Sequence, residues 1–148
     1  MDSMTIIDLI RQQVAAERDE RFQRSDQLSL GSVIERLEKL DPEDRVVFDF
    51  CNMVPTRLES WRGSYDELAL GFVDPSRRGS ERVSVAELLE RLRLAVGRTY
   101  TGWKGGEYVM GLITPVWVAN PGDAHNTAIV GVELIDYQVV IQTAYMEF

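Results

Sequence analysis

The order of apolar patterns along this chain predicts an α+β protein: a mainly antiparallel sheet with helices packed on one face. Three observations carry that expectation. Two helical stripes, at residues 30–40 and after Ser84, repeat apolar side chains at intervals of three and four. Short runs rich in β-branched and aromatic residues lie between and after them. The last runs are separated by short turns such as Asn120-Pro121-Gly122-Asp123, which favours strands that double back over strands needing long crossovers.

Taken in order, residues 5–22 read as a first helix, with Ile6, Leu9, Ile10 and Val14 as a short apolar stripe that fails where Glu17 to Arg24 turn charged. Residues 30–40 read as a second helix. Ser29 is its N-cap, and Leu30, Val33, Ile34, Leu37 and Leu40 share one face. Asp41-Pro42 ends it, because proline disfavours helical geometry in the residue before it. Val46–Cys51 is a strand with Val46, Phe48 and Phe50 on one face and Asp49 on the other. Asn52–Ser64 reads as a loop, Tyr65–Phe72 as a strand, and Asp74–Arg82 as a polar loop. Ser84-Val85-Ala86-Glu87 is a capping box, opening a helix with Leu88, Leu89, Leu92, Ala95 and Val96 that Gly97 closes. Strands follow at Thr114–Ala119, Thr127–Leu134 and Gln138–Ala144, the last two joined by Ile135-Asp136-Tyr137.

A chain of 148 residues is expected to be a single domain, 1–148, in which 1–27 form an acidic helical extension and 28–148 the α+β core. The lone Cys51 allows no disulfide within the chain and suits a reducing cytosol, where it reads as an inert buried thiol. No run reaches the length of a membrane span and no secretory leader is evident, so a soluble, cytoplasmic protein with no membrane partner is expected.

Charge narrows the partners. The net charge is −8, unevenly spread: residues 105–148 hold five acids and no Lys or Arg. Backbone binding of long nucleic acid is driven by basic surface, so none is expected. Cations gather in the middle third, at Arg57, Arg62, Arg77, Arg78, Arg82, Arg98 and Lys104. An anionic ligand should therefore be small and local.

Two strings in that third combine aromatic, cation and glycine: Ser60-Trp61-Arg62-Gly63-Ser64-Tyr65-Asp66, and Thr101-Gly102-Trp103-Lys104-Gly105-Gly106-Glu107-Tyr108. A flat indole or phenol stacks on a base at about 1–3 kcal/mol per base. Arg62 offers a fork to phosphate, and Lys104 a point charge beside the N–H groups that Gly105 and Gly106 leave bare. The candidate ligand-binding residues are therefore Trp61, Arg62, Gly63, Tyr65, Asp66, Trp103, Lys104, Gly105, Gly106 and Tyr108. The plainer alternatives are that both tryptophans are core residues and that the glycines merely turn the chain. The pattern is not a phosphate-binding P-loop, because Lys104 precedes its glycine pair, and no dinucleotide-binding glycine fingerprint opens a helix. His125 is the single histidine, so a zinc site is not expected, nor is any other metal or cofactor, and no catalytic set is identified.

With Asp66-Glu67-Leu68-Ala69 and Val109-Met110 continuing them, these strings resemble a family of small proteins encoded by phages and prophages, over roughly residues 28–135. By analogy with phage proteins that sequester the nucleotide signals of bacterial immunity, the resemblance implies a cytoplasmic sponge in the bacterial host. Its ligand would be a cyclic ADP-ribose isomer or a cyclic oligonucleotide, held without turnover. Trp61 with Trp103 or Tyr108 would stack on purine, Arg62 and Lys104 would hold phosphate, and Asp66 would take ribose hydroxyls. A homo-oligomer is implied, with the apolar terminal strand Val139–Phe148 as an edge or interface. Two alternatives stay open: an interaction module that inhibits a host protein, and a nucleotide-cleaving enzyme using Asp66 or Glu67 with His125.

Overall fold

The computed structural model describes residues 26–50, 53–60, 67–73, 82–101, 107–119 and 127–145, with Ile6, Leu9, Ile10 and Gln13. Those four N-terminal residues are helical, and Ile6, Leu9 and Ile10 belong to the apolar stripe expected of the first helix. Among the described residues two further helices and eight strands follow: α1 (Leu30–Glu38), β1 (Arg45–Phe48), β2 (Val54–Ser60), β3 (Leu68–Val73), α2 (Val85–Ala95), β4 (Thr99–Thr101), β5 (Glu107–Val109), β6 (Val116–Val118), β7 (Thr127–Ile135) and β8 (Gln138–Tyr145). The fold is α+β, with a mixed main sheet.

Both helices are capped where the sequence places the caps. Ser29 Oγ accepts the Ser32 N–H at 3.2 Å and Ser84 Oγ accepts the Glu87 N–H at 3.2 Å, each satisfying a donor that the first turn leaves free. Leu30, Val33, Ile34 and Leu37 of α1 are buried with Leu88, Leu89, Leu92 and Ala95 of α2 in one core. Gly97, at φ +78°, ends α2 in the left-handed region that glycine enters without penalty.

The main sheet runs β1-β8-β7-β6-β3-β2. β2–β3, β6–β7 and β7–β8 pair antiparallel, whereas β1–β8 and β3–β6 are parallel. Mixing arises because the chain crosses from β3 to β6 through α2 and the β4–β5 pair, and β8 comes back beside β1 only after all the other strands. The sheet curls until its outer strands β1 and β2 meet, joined at one corner by the Phe48 N–H to Met53 carbonyl bond of 2.8 Å. Its helix-side face contributes Val46, Phe48, Leu68, Leu70, Val116, Ile129 and Ile141 to the core. The opposite face carries small side chains, Ala69, Ala119 and Ala128, around a buried Trp117.

Leu28 wedges β6 from β7: its N–H donates to the Ile129 carbonyl at 2.8 Å and its carbonyl accepts from Val116 at 3.2 Å. Only Trp117 and Ala128 remain directly paired between those two strands.

Four sequence expectations are corrected. Asn52–Ser64 is not all loop, since Val54–Ser60 is strand β2. Pro55 is accommodated within it because β2 is a sheet edge, where proline's missing N–H is tolerated. The glycine-rich stretch is flanked by two strands, β4 and β5, which pair with Tyr100 opposite Tyr108. The terminal strand is not a free edge over its first half, because β1 covers Gln138–Ile141 of β8 on the side away from β7. Finally, Asp49, on the other face of the first strand, is not a free carboxylate. Its carboxylate accepts the Thr143 N–H at 2.8 Å and the Thr143 hydroxyl at 2.6 Å, taking the place of a β1 that has ended.

Candidate functional site

The two aromatic–cation strings occupy equivalent places in the fold. Ser60 pairs with Leu68 at the end of β2–β3, so residues 61–67 connect that antiparallel pair. Thr101 pairs with Glu107 at the end of β4–β5, so residues 102–106 connect that one. Trp61, Arg62, Gly63, Tyr65, Asp66, Trp103, Lys104, Gly105 and Gly106 lie outside the described residues, as do Cys51, Arg77, Arg78 and His125. Tyr108 is described through its backbone alone, in β5.

The strands that lead into the two strings are neighbours, since β4 lies against β2. At that junction the structure assembles groups that composition did not mark. Thr56 is the extra residue of a β-bulge in β2, where the register against β3 shifts between Pro55 and Arg57. Its carbonyl accepts Arg91 Nη1 of α2 at 3.3 Å, while its hydroxyl oxygen is buried with no hydrogen-bond partner. Tyr100, in β4, packs partly against the core, and its hydroxyl is likewise buried and unpartnered. Burial holds the Tyr100 phenol above its ordinary pKa, and the positive charge of Arg98 pulls the other way. The Arg98 guanidinium carbon stands 5.2 Å from the centre of the Tyr100 ring, a cation–π distance.

On the adjoining strands β2 and β4, Thr56 thus buries a hydroxyl without a partner and Tyr100 keeps its phenol beside the Arg98 guanidinium, while Arg91 and Arg98 themselves are exposed. A buried hydroxyl without a partner costs about 1–3 kcal/mol, which a ligand atom or ordered water recovers by bonding to it. Only Arg98 stood among the cations singled out from sequence; Thr56 and Tyr100 become visible only once β2 and β4 are seen side by side.

The acidic pair at the end of the first string divides. Glu67 is 2% exposed, immediately before β3, and engaged in an interaction of its own, whereas Asp66 lies outside the described residues. Of the three tryptophans, Trp117 is a core residue. No three His, Cys, Asp or Glu side chains converge as metal ligands among the described residues, and no described helix is long and apolar enough to cross a membrane. The chain matches no family model, and neither the curated proteins nor the solved structures provide a match.

Proposed function

We propose that this protein binds and sequesters a small nucleotide-derived immune signal, a cyclic ADP-ribose isomer or cyclic oligonucleotide, as a phage anti-defence protein in the host cytoplasm. One observation carries the reading. Two strings of aromatic, cation and glycine form the connections of two antiparallel pairs, and the strands entering them, β2 and β4, contact one another. In this reading Trp61, Trp103 and Tyr108 supply stacking faces, Arg62 and Lys104 hold phosphate, and Asp66 receives ribose hydroxyls. Gly63, Gly105 and Gly106 let backbone N–H groups approach the anion. Tyr65 completes the aromatic wall. The hydroxyls of Thr56 and Tyr100, with Arg91 and Arg98, add polar support at the base.

The test is a thermal-shift and calorimetric screen of the purified chain against cyclic ADP-ribose isomers and cyclic oligonucleotides, repeated with Trp103→Ala and Lys104→Ala. Binding by the wild type, loss in both variants, and recovery of intact nucleotide after heat denaturation support sequestration. Recovery of a cleaved product supports the enzymatic alternative. No stabilisation by any nucleotide overturns the proposal.

A second reading, a module that inhibits a host protein, has its own observation. The β7–β8 tip exposes Leu134, Ile135 and Tyr137 together, and exposed tyrosine beside aliphatic side chains is the composition of an interface anchor. Stoichiometric co-purification of a host polypeptide that Tyr137→Ala abolishes, with no nucleotide response, would favour it.

A further inference from the structure

The far half of β7 has a strand on one side only. β6 pairs with β7 at Trp117 and Ala128 alone, and the Ile129 carbonyl is taken by Leu28. Beyond that point β7 runs on to Ile135 with β8 as its neighbour. Ile135 and Gln138 flank the two-residue turn, so they bond to one another, and bonded residues alternate along an antiparallel pair. Gly131, Glu133 and Ile135 therefore spend their main-chain groups on β8, while Val132 and Leu134 turn theirs the other way. The register shift between Ile129 and Gly131 changes the phase, which is why the Ile129 carbonyl also points outward, to Leu28. Among the described residues no hydrogen bond reaches the outward N–H and C=O of Val132 or Leu134.

A row of unpaired main-chain groups is a template for another strand, and edges are often blunted by lysine or proline. Residues 130–135 hold neither. Instead Leu134 and Ile135 are exposed along this edge and Tyr137 at its end. Strand addition uses that combination: main-chain bonds hold the incoming segment, and alternate side chains choose it.

Charge decides between occupants. Glu133 stands on the edge strand and Asp136 in its turn. Glu43 and Asp44 directly precede β1, whose first residue Arg45 pairs with Gln138, so they lie at the same end of the sheet. None of these four carboxylates forms an ion pair among the described residues, and Glu133 accepts the neutral Gln142 amide at 2.9 Å. Residues 43–45 and 131–138 set Arg45 alone against those four acids. A second copy would bring an identical acidic tip against this one, and like charges across a strand pair destabilise it. A basic strand meets attraction instead.

We infer that the outer edge of β7, at Val132 and Leu134, takes up an extended segment of a partner polypeptide as an added strand, in which apolar residues alternate with lysine or arginine. Successive side chains point to opposite faces, so an apolar residue beside Leu134 is followed by a basic one beside Glu133. The methylene stem of that basic residue covers Ile135, which shares the face of Glu133, while its charge reaches the carboxylate. This gives the second reading a binding mode and a partner chemistry, and rests on that reading only in placing a partner at this tip.

Fluorescence anisotropy of the full chain with a short labelled peptide of alternating valine and lysine tests it. The comparison peptides are an alternating valine–glutamate peptide and the valine–lysine peptide N-methylated along its main chain. The valine–lysine peptide should bind, and each comparison peptide should bind about tenfold or more weakly. Glu133→Lys should reverse the preference in favour of the glutamate peptide. Leu134→Pro removes an outward N–H and none of the bonds to β8, and should weaken binding with the circular dichroism spectrum kept. N-methylation reads the main-chain bonds without altering the protein, should that variant fold poorly. Equal binding of the N-methylated peptide overturns the inference, because charge alone would then hold the segment. Equal binding of both charge types, or of neither, overturns it as well. So does a wild-type dimer in sedimentation velocity that Glu133→Lys or Leu134→Pro dissolves, since a second copy would then fill the edge. A host polypeptide that co-purifies through Tyr137 while the valine–lysine peptide stays unbound overturns the added strand and leaves the second reading standing.

Discussion

The two-residue turn between β7 and β8 stores backbone strain that one substitution should release. Ile135 pairs with Gln138, so Asp136 and Tyr137 alone close the hairpin, at φ values of +48° and +67°. Both central residues with positive φ make a type I′ turn, whose twist matches the flanking strands. Aspartate tolerates that region, but tyrosine does not favour it. Holding an L-residue there costs about 1–2 kcal/mol. Tyr137 is 93% exposed, so its ring returns almost no packing energy to the fold. Glycine removes the steric cost and gives back about 0.5–1 kcal/mol through its more flexible unfolded state. Tyr137→Gly should therefore stabilise the protein by about 0.5–1 kcal/mol, raising Tm by roughly 1–4 °C for a chain of this size. Tyr137→Val, β-branched and stiffer, should move stability the other way. Urea unfolding of the three proteins, followed by circular dichroism and fitted with a common m-value, reads the difference. If Tyr137→Gly is destabilised by more than about 0.5 kcal/mol, or if glycine and valine are indistinguishable, the strain argument is wrong. A stabilised Tyr137→Gly that has lost a protein partner would show why the tyrosine is kept.

Asp49→Ala should cost about 1–2 kcal/mol, because the carboxylate stands in for a strand beside Thr143, and amide exchange at Thr143 should quicken by a larger factor than at neighbouring β8 residues. Gly31→Ala should destabilise by about 1–3 kcal/mol in denaturant unfolding although alanine favours helix, since the added Cβ would stand 2.9 Å from the Leu112 carbonyl oxygen. Ser84→Ala should cost about 1 kcal/mol by loss of the α2 cap, measurable in the same unfolding experiment. Tyr100→Phe, which deletes an unpartnered hydroxyl, should leave stability unchanged or raise it by up to about 1 kcal/mol near neutral pH. Because the folded Tyr100 keeps its proton to higher pH than the unfolded chain does, its contribution is intact below the unfolded value of about 10 and is lost as pH rises through the folded pKa. Stability in the wild type should thus fall more steeply above that pH than in Tyr100→Phe, and ultraviolet titration of Arg98→Ala should find the phenol shifted further up.

Much of the scaffold can be read from local pattern. The caps at Ser29 and Ser84, the apolar faces of both helices, the stop at Gly97 and the β7–β8 hairpin all follow from residues close together in sequence, where propensity and side-chain spacing act directly. What stayed hidden depended on neighbours far along the chain. Pro55 reads as a breaker until β2 is known to be an edge strand, and Tyr100 with Tyr108 reads as loop until the two are seen paired. Asp49 looks like a free carboxylate until Thr143 arrives from the other end of the chain.

For the candidate site the division is the same. Sequence by itself determined which residue types could stack on a base and hold a phosphate, because aromatic face, charge and bare glycine N–H are properties of the residues themselves. It also determined that acids and bases are segregated along the chain. Only the tertiary structure decided that the two strings connect strand pairs whose β2 and β4 touch, that Arg91 reaches the Thr56 carbonyl in β2 and that Arg98 stands over the Tyr100 ring in β4. It likewise decided which apolar residues the core would not cover, Ile6 and Ile113 among them. Strand adjacency and burial are sums over contacts between distant segments, and no local pattern holds that sum.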